Sequence, residues 1–410
     1  MPRLRHLVAL VLVMAGLSMS AEDYITVTGI VTDRQTHQPL PHVSVVAQRV
    51  GTVTNDQGRF TLKVSPHTTA LTFSLIGYLS QRADIVADSQ LHIEMRPSAA
   101  TMDELVVRSL SPWEIVGQAI NRFTSNYSTR ETSYYGFYRE VIQKRRQYIS
   151  ISEAVAEVYK TSYDTDAQFD AVAIRRGRRM LNLKRADTLA VKLMAGPTLP
   201  ILADVVKNRE LLFYPDDLSA YDYALDGIEK LDNRLHYVIR MTPQEHQRPY
   251  ALFYATLYID QHTLTISRAD LHLDLRNRAL ATAAMLVRRP TGLRFTPLEL
   301  TLATYYRTEA DVTYLNYVRS EMRFKCDWHR RLFASPFTVV SEFVVTNILP
   351  DAKPIRGRDS FRRHDNLYDN VDYFSEPDFW GADNIIEPTE SLNRAIDRLR
   401  RSVERTMTDE

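Results

Sequence analysis

One cysteine, Cys326, is all that the 410 residues contain, so a disulfide within the chain is excluded whatever the compartment. Thirteen glycines and 18 prolines are too few for a low-complexity or collagen-like chain. Neither sign of charge dominates: the formal net charge is +1, and no global field exists to recruit nucleic acid or an anionic membrane surface. No HExxH pair offers two histidines and a base to zinc, and no GxSxG elbow presents a serine. Glycine loops that cradle phosphate are also missing, since Gly177 and Gly196 stand isolated.

What is present is ordinary globular material, 44% apolar and 25% charged. At roughly 150 residues per domain the length implies two or three domains. Twenty-two tyrosines are the conspicuous excess, and they cluster in segments that read as strands. At the N-terminus, Arg3, Arg5 and His6 precede an apolar stretch from Leu7 to Leu17 that is too short to span a bilayer, followed by small residues at Ser18-Met19-Ser20. Residues 1–20 therefore read as a signal peptide, and no later segment reads as a transmembrane helix. Cys326 lies on the apolar side of an alternating run with Met322 and Phe324, and reads as a buried, unreactive thiol.

Residues 22–97 read as about seven short strands. Tyr24 to Thr32, Val43 to Ala47, Phe60 to Val64, Leu71 to Leu75 and Leu91 to Met95 have extended patterns, and Asn55-Asp56-Gln57-Gly58 is a hairpin signal. Four ordered segments carry a resemblance: Gly29-Ile30-Val31-Thr32-Asp33, Pro39-Leu40-Pro41-His42-Val43-Ser44-Val45, Gly51 to Phe60, and Phe73-Ser74-Leu75-Ile76-Gly77-Tyr78. Together they resemble the carboxypeptidase regulatory-like domain, a transthyretin- or Ig-like β-sandwich common at the front of exported Bacteroidota proteins. Met102 to Val107 resembles the short segment that follows this domain in TonB-dependent transporters. The resemblance implies no peptidase chemistry, and the remaining residues are too few for a plug and a 22-stranded barrel.

Residues 98–110 read as a linker. Ser111-Pro112-Trp113-Glu114 then opens a helix with an N-cap serine, a proline at the first position and a glutamate three residues on. From there to residue 349 the chain alternates with period two, as in Tyr135-x-Phe137, Ile149-x-Ile151, Leu235-x-Tyr237-x-Ile239-x-Met241 and Leu271-x-Leu273. These read as strands of an antiparallel sheet buried on one face. Pro197 to Lys207 reads as a short helix interrupted by Pro200. Residues 350–410 read as an irregular segment ending in a helix marked by Leu392, Ile396 and Leu399. The hairpin Tyr254 to Ala269 resembles those of LolA-type envelope lipoprotein carriers. Phe137-Tyr138-Arg139-Glu140 and Phe379 to Asn384 resemble an uncharacterised companion region of exported Bacteroidota proteins.

Candidate chemistry has a structural counterpart each time. Glu245-His246 sits in a turn-like stretch and reads as solvated loop rather than a metal pair. Asp216-Asp217 and the run Asp365, Asp369, Asp372, Glu376, Asp378 would have to converge across a cleft to act as a glycosidase pair, and they lack calcium-loop spacing. Arg175, Arg176, Arg178, Arg179, Lys184 and Arg185 would meet lipid headgroups, lipopolysaccharide phosphates or an acidic partner, or else protect a strand edge. The aromatic strands around Tyr134 to Tyr163 and Tyr250 to Tyr258 would line an apolar groove or simply fill a core.

The fold expected is mainly β with a few helices: a seven-stranded sandwich, then a larger antiparallel sheet, an open half-barrel being one form of it. The function expected is binding or scaffolding without catalysis in the periplasm or on the periplasm-facing outer membrane. The sandwich would dock a partner, and the sheet would hold an envelope protein or an apolar ligand (lipid or glycan). No nucleic-acid partner, cofactor, metal or catalytic residue is assigned. An envelope hydrolase with a dispersed Asp/Glu/Tyr site, and an accessory or signalling partner of TonB-dependent uptake, are the alternatives.

Overall fold

Seven short strands follow residue 24: β1 (Ile25–Asp33), β2 (Ser44–Ala47), β3 (Val50–Val53), β4 (Arg59–Val64), β5 (Ala70–Ser74), β6 (Gln81–Asp84) and β7 (Leu91–Met95). They form a sandwich of two sheets, β4-β1-β7 and β3-β2-β5-β6. Alternation turns Val27, Val31, Phe60, Leu62, Leu71, Phe73 and Ile93 inward to one shared core. At the Asn55–Gly58 turn the Asn55 side chain accepts from the Gln57 and Arg59 amides at 2.9 and 3.0 Å. Gly58 has φ 70° there, and a Cβ would stand 2.4 Å from the Val31 carbonyl oxygen.

The computed structural model describes residues 24–86, 90–98, 110–181, 192–194, 196–245, 248–288, 290–328, 334–362, 365, 367–373 and 379–408. The leader read at 1–20, nearly all of the 98–110 linker, His246, Lys184, Arg185, Glu376 and Asp378 lie outside them.

Helix α1 (Pro112–Asn121) starts where the sequence places it. The Ser111 hydroxyl accepts from the Glu114 amide, and the Glu114 carboxylate accepts from the Ser111 amide at 2.7 Å, a reciprocal capping box. Next comes α2 (Phe123–Asn126). The strands β8 (Thr132–Lys144), β9 (Gln147–Lys160), β10 (Ala171–Leu181), β11 (Lys192–Leu193), β12 (Tyr221–Leu231), β13 (Arg234–Pro243), β14 (Phe253–Asp260), β15 (Ile266–Leu273), β16 (Leu286–Arg288), β17 (Leu293–Glu309), β18 (Val312–Trp328), β19 (Ser335–Pro350) and β20 (Asp372–Tyr373) follow. Helices α3 (Leu199–Leu202), α4 (Arg278–Met285) and α5 (Glu390–Thr408) complete the set.

Most of these strands join one sheet in the order β12-β13-β14-β15-β17-β18-β19-β8-β9-β10-β20, antiparallel except for the short β10–β20 pair. The sheet ends at β12 and β20 and does not close. Three of its hairpins turn on two left-handed residues without glycine: Arg145-Arg146, Asp232-Asn233 and Ala310-Asp311.

Three local expectations change. The long central strands are buried on both faces rather than one; the β9 residues Ile149 to Lys160 are all buried. Ile149 and Ile151 do not share a face. Ile142 pairs with Ser150 and Gln143 with Tyr148, so Ile149 is an extra bulge residue that packs into one core while Ile151 packs into another. Pro200 does not interrupt a helix; it sits in the first turn of α3, where no intrahelical N–H is needed.

One face of the sheet, the inner one, is filled by the protein itself. Phe123, Tyr127, Tyr163, Phe213 and Tyr306 form a linked aromatic cluster with ring centroids 5.2–5.8 Å apart. Beside it lies a buried ionic network. Lys160 Nζ is 2.8 Å from Asp204 Oδ2 and 3.0 Å from Asp170 Oδ2. The Tyr163 and Tyr306 hydroxyls donate to the two Asp204 oxygens at 2.7 Å each. Burial opposes the Lys160 charge, but the two carboxylates outweigh it and hold its pKa above the usual lysine value. Lys207, also buried, donates to Thr161 Oγ1 at 2.9 Å and to the Thr165 carbonyl at 2.7 Å. The network ties the loop after β9 and the segment after α3 to the sheet. Asp204→Ala leaves Lys160 half paired and two buried hydroxyls without their acceptor, and is expected to cost about 3–5 kcal/mol in urea unfolding. A loss under about 1 kcal/mol would show that the network is not what holds this face.

Candidate functional site

The other face of the sheet, the outer one, is only half covered. The sandwich sits across β17, β18 and β19. His42 stacks on Tyr317 at 5.4 Å, Asn316 donates to Ser44 at 3.1 Å, and Val53 shares a small core with Phe137, Tyr317 and Val344. Tyr317 donates its proton to Glu342 at 2.6 Å, so His42 Nδ1, 3.2 Å away, carries the hydrogen of its own contact with the Tyr317 oxygen.

The segment Phe379 to Pro388 then runs between the sandwich and the sheet as a strap. Trp380 meets Phe137 edge-on at 5.2 Å, and the Arg178 guanidinium lies 4.8 Å over its ring. Asn384 pairs both ways with the backbone of Lys63 on β4, accepting at 2.6 Å and donating at 3.0 Å, much as a neighbouring strand would. Arg139 donates to the Ile386 carbonyl at 2.8 Å, Thr52 to the Ile385 carbonyl at 3.0 Å and Asn55 to the Glu387 carbonyl at 3.0 Å. Beyond the strap, α5 buries Leu392, Ala395, Ile396 and Leu399 against Val141, Ile151 and Met180.

Register places a row of residues straight across this outer face, all polar but Ala303: Arg240, Thr256, Asp270, Ala303, Arg319, Glu342, Arg139, Glu153 and Arg178. The strap covers the end of the row nearest β10, where Glu153 is 1% exposed and takes Arg139 at 2.8 Å and Arg178 at 2.9 Å. The other end is open. Arg240, Tyr254, Thr256, Asp270, His272, Thr301, Ala303 and Arg319 bound a trough of about 340 Å³. Next to it the Arg268 guanidinium is held between Tyr258 and Tyr305, 5.2 and 4.7 Å from their rings, and pairs with Asp270 at 2.9 Å.

The sequence-marked groups are dispersed. Asp217 is buried and accepts from Tyr250 at 2.8 Å, with Arg248 3.3 Å away. Asp369 and Asp372 are exposed, and the Glu245 side chain is almost fully so. Arginines of β10 have carboxylate partners. Arg175 pairs with Glu157, Arg176 with Asp383 at 3.4 Å and Arg178 with Glu153, so much of the cluster fastens the strap and its surroundings. Of the tyrosines, Tyr134, Tyr138, Tyr159 and Tyr163 fill cores, while Tyr254 and Tyr258 face the open part of the sheet. Cys326 is half-buried and free, and burial pushes its thiol up to about 12, well away from thiolate. Arg240, Asp270, His272 and Arg319 carried no signal beyond being the polar half of an alternation.

Two outcomes follow from these contacts. Trp380→Ala is expected to raise hydrogen exchange in β4 and in residues 379–388 while β17 to β19 stay protected. Unchanged exchange in β4 would show that the strap does not hold the sandwich. Burial lowers the pKa of His42 and of His236, so the unfolded chain takes up protons that the folded one resists. Stability should therefore fall as pH drops below about 6.5, and His42→Asn should flatten that slope in urea titrations repeated across pH.

Residues 27–107 match the family model of the CarboxypepD_reg-like domain. No curated protein matches the chain at a significant level. Among solved structures it is similar to a DUF1329 family protein from Desulfovibrio piger, at 14% identity over 59% of this chain and 95% of that one, with a TM-score of 0.26. It is also similar to a LolA superfamily protein from Nitrosomonas europaea, at 9% identity over 60% and 96% of the chains, with a TM-score of 0.21. The MucA/MucB complex of Pseudomonas aeruginosa matches at 16% identity over 59% and 99%, with a TM-score of 0.17. The N-terminal sandwich is thus similar to the carboxypeptidase regulatory-like domain, and the rest of the chain is described by its own geometry.

Proposed function

We propose that this is an exported protein of the bacterial cell envelope that works by binding, with the sandwich fixed as a shoulder on a broad sheet and the uncovered part of the outer face taking the ligand. The observation that carries the reading is the open trough between Arg240 and Arg319. Its chemistry is mixed. Two rings, Tyr254 and His272, stand 6.4 Å apart, and two guanidiniums, one carboxylate and two threonines surround them. Flat rings beside fixed donors and acceptors suit a glycan, which offers apolar ring faces and a rim of hydroxyls. The floor of the trough is mainly apolar, which the ring faces of a glycan would cover while its hydroxyls meet the charged rim. Among the described residues, the inner face is filled by the protein's own aromatic and aliphatic side chains.

Docking of a separate partner by the sandwich is narrowed by the same geometry. Its β3 and β4 already meet the large sheet and the strap, which leaves β6 and β7 as the outer strands for a further protein. Within the described residues no helix is long and apolar enough to cross a membrane.

A glycan array probed with residues 22–410 tests the reading. Tyr254→Ala is expected to weaken any glycan bound by the intact protein about tenfold, the loss of one stacking platform worth about 1.4 kcal/mol. Failure of the intact protein to bind any glycan would sink the proposal.

A further inference from the structure

At the far end of the same strands, the turns after β12, β14 and β17 enclose a second recess of about 260 Å³ that shares no residue with the trough. His236 lies in its wall, 2% exposed. Its Nδ1 is 3.1 Å from the Arg234 carbonyl oxygen, and its Nε2 is 2.8 Å from Ser267 Oγ. A carbonyl can only accept, so Nδ1 holds the ring proton and Nε2 turns its lone pair to the Ser267 hydroxyl. Burial disfavours the imidazolium and so keeps the ring neutral near pH 7, with the Nε2 lone pair available to take a proton. Asp260, also 2% exposed, is the cross-strand partner of His236, and its charge favours the imidazolium once a proton arrives.

Ser267 is placed unusually for a strand residue. Tyr258 pairs with Arg268 and Ile259 with Ile266, so Ser267 is the extra residue of a bulge, set off the ladder and half-buried. It lines this recess and the smaller one beside it, and Arg307 lines both as well. The Arg307 side chain is 10% exposed. One of its amino groups donates to the Arg49 carbonyl at 3.1 Å, and Glu309 lies 3.1 Å from Nε, yet Nε and Nη1 have no acceptor in hydrogen-bonding geometry. A base, a hydroxyl bonded to it and a buried guanidinium that pairs with Glu309 thus line one polar recess. Asp260 lies at the neighbouring strand position, bonded to the His262 and Thr263 amides.

We propose that Ser267 is a nucleophile activated by His236, in a site that hydrolyses short-chain carboxylic esters of polar alcohols. The Ser267 oxygen bonds to the ester carbonyl carbon as its proton passes to His236 Nε2. The oxyanion formed faces the Arg307 guanidinium, which holds it as fixed positive charge. Collapse breaks the ester C–O bond, and the departing alcohol takes the proton from Nε2. Water then attacks the acyl-serine, giving its proton to Nε2; the carboxylic acid leaves and Ser267 recovers the proton. One ester and one water become one acid and one alcohol. The short acyl group is set by the size of the recess, and the polar alcohol by its wall of Arg234, Thr263, Thr265 and Thr308.

The test is covalent and needs no known substrate. A fluorophosphonate probe incubated with residues 22–410 is expected to leave a phosphonyl adduct on the peptide containing Ser267, read by mass spectrometry. His236→Asn, confirmed as folded by circular dichroism, should label about 100-fold more slowly. Should that variant fail to fold, Ser267→Cys serves instead: its alkylation by iodoacetamide should persist below pH 7, where an unassisted thiol is unreactive. An intact protein unlabelled at Ser267, equal labelling of a folded His236→Asn variant, or alkylation of the Ser267→Cys variant that vanishes below pH 7 would overturn the assignment. None of these outcomes touches the glycan reading, whose trough lies elsewhere on the sheet.

Discussion

Strands β8 and β9 are buried on both faces, charged side chains included, so the large sheet requires two covers, and most of the remaining architecture follows from how the chain supplies them. The inner cover is local in origin: α1, α2, α4 and the segment around α3 pack the aromatic cluster and the Lys160–Asp204 network onto the sheet. The outer cover is assembled from the two ends of the described chain, the sandwich from one and the strap with α5 from the other. Burying a broad sheet in this way removes the exposed apolar faces that would otherwise drive association. Among the described residues it leaves open a portion of the outer face where charged side chains border Tyr254 and His272.

Opposite charges alternate along the row from Arg319 to Arg178, and at its covered end Arg139, Glu153 and Arg178 lie beneath the strap. Burying them is tolerable because Glu153 takes two guanidiniums and the Ile386 carbonyl takes a third donor. At the other end Thr256 and Ala303 interrupt the alternation, and Arg240 and Arg319 keep solvent on one side.

Much of this was legible from residue order. The capping box at Ser111, the Asn55 turn, the period-two strands and the helix at Leu392 to Leu399 all depend on interactions within a few positions, and the sequence displays those directly. The fold class, mainly β with a small sandwich and a large open sheet, followed from them. The hairpins at Arg145-Arg146 and Ala310-Asp311 gave no sign, because neither pair carries the Asn-Gly or Asp-Gly chemistry that marks such turns. The bulge at Ile149 was hidden for a similar reason: its extra residue is apolar like its neighbours. The sites were less legible still. The trough depends on register among five strands, and His236 finds Ser267 at a separation of 31 residues only because β14 lies between their strands and carries a bulge partner. The Phe379 to Asn384 segment could be marked from its residues as distinctive, but its role as a fastener required seeing β4 beside it.

The strap also sets an order of events. Its bonds to the N-terminal part of the described chain close loops as long as 357 residues, the separation of Tyr24 and Gly381. Each part can collapse around its own core as it emerges, yet the contacts that unite them form only after the last long strand has been made and threaded into place. Without residues 379–388 the β4 edge would lose its Asn384 pairing, and the Phe137–Val155 patch its Trp380 and Ile386 cover. The strap is thus a late-made segment that fastens an early-made domain to the sheet built between them.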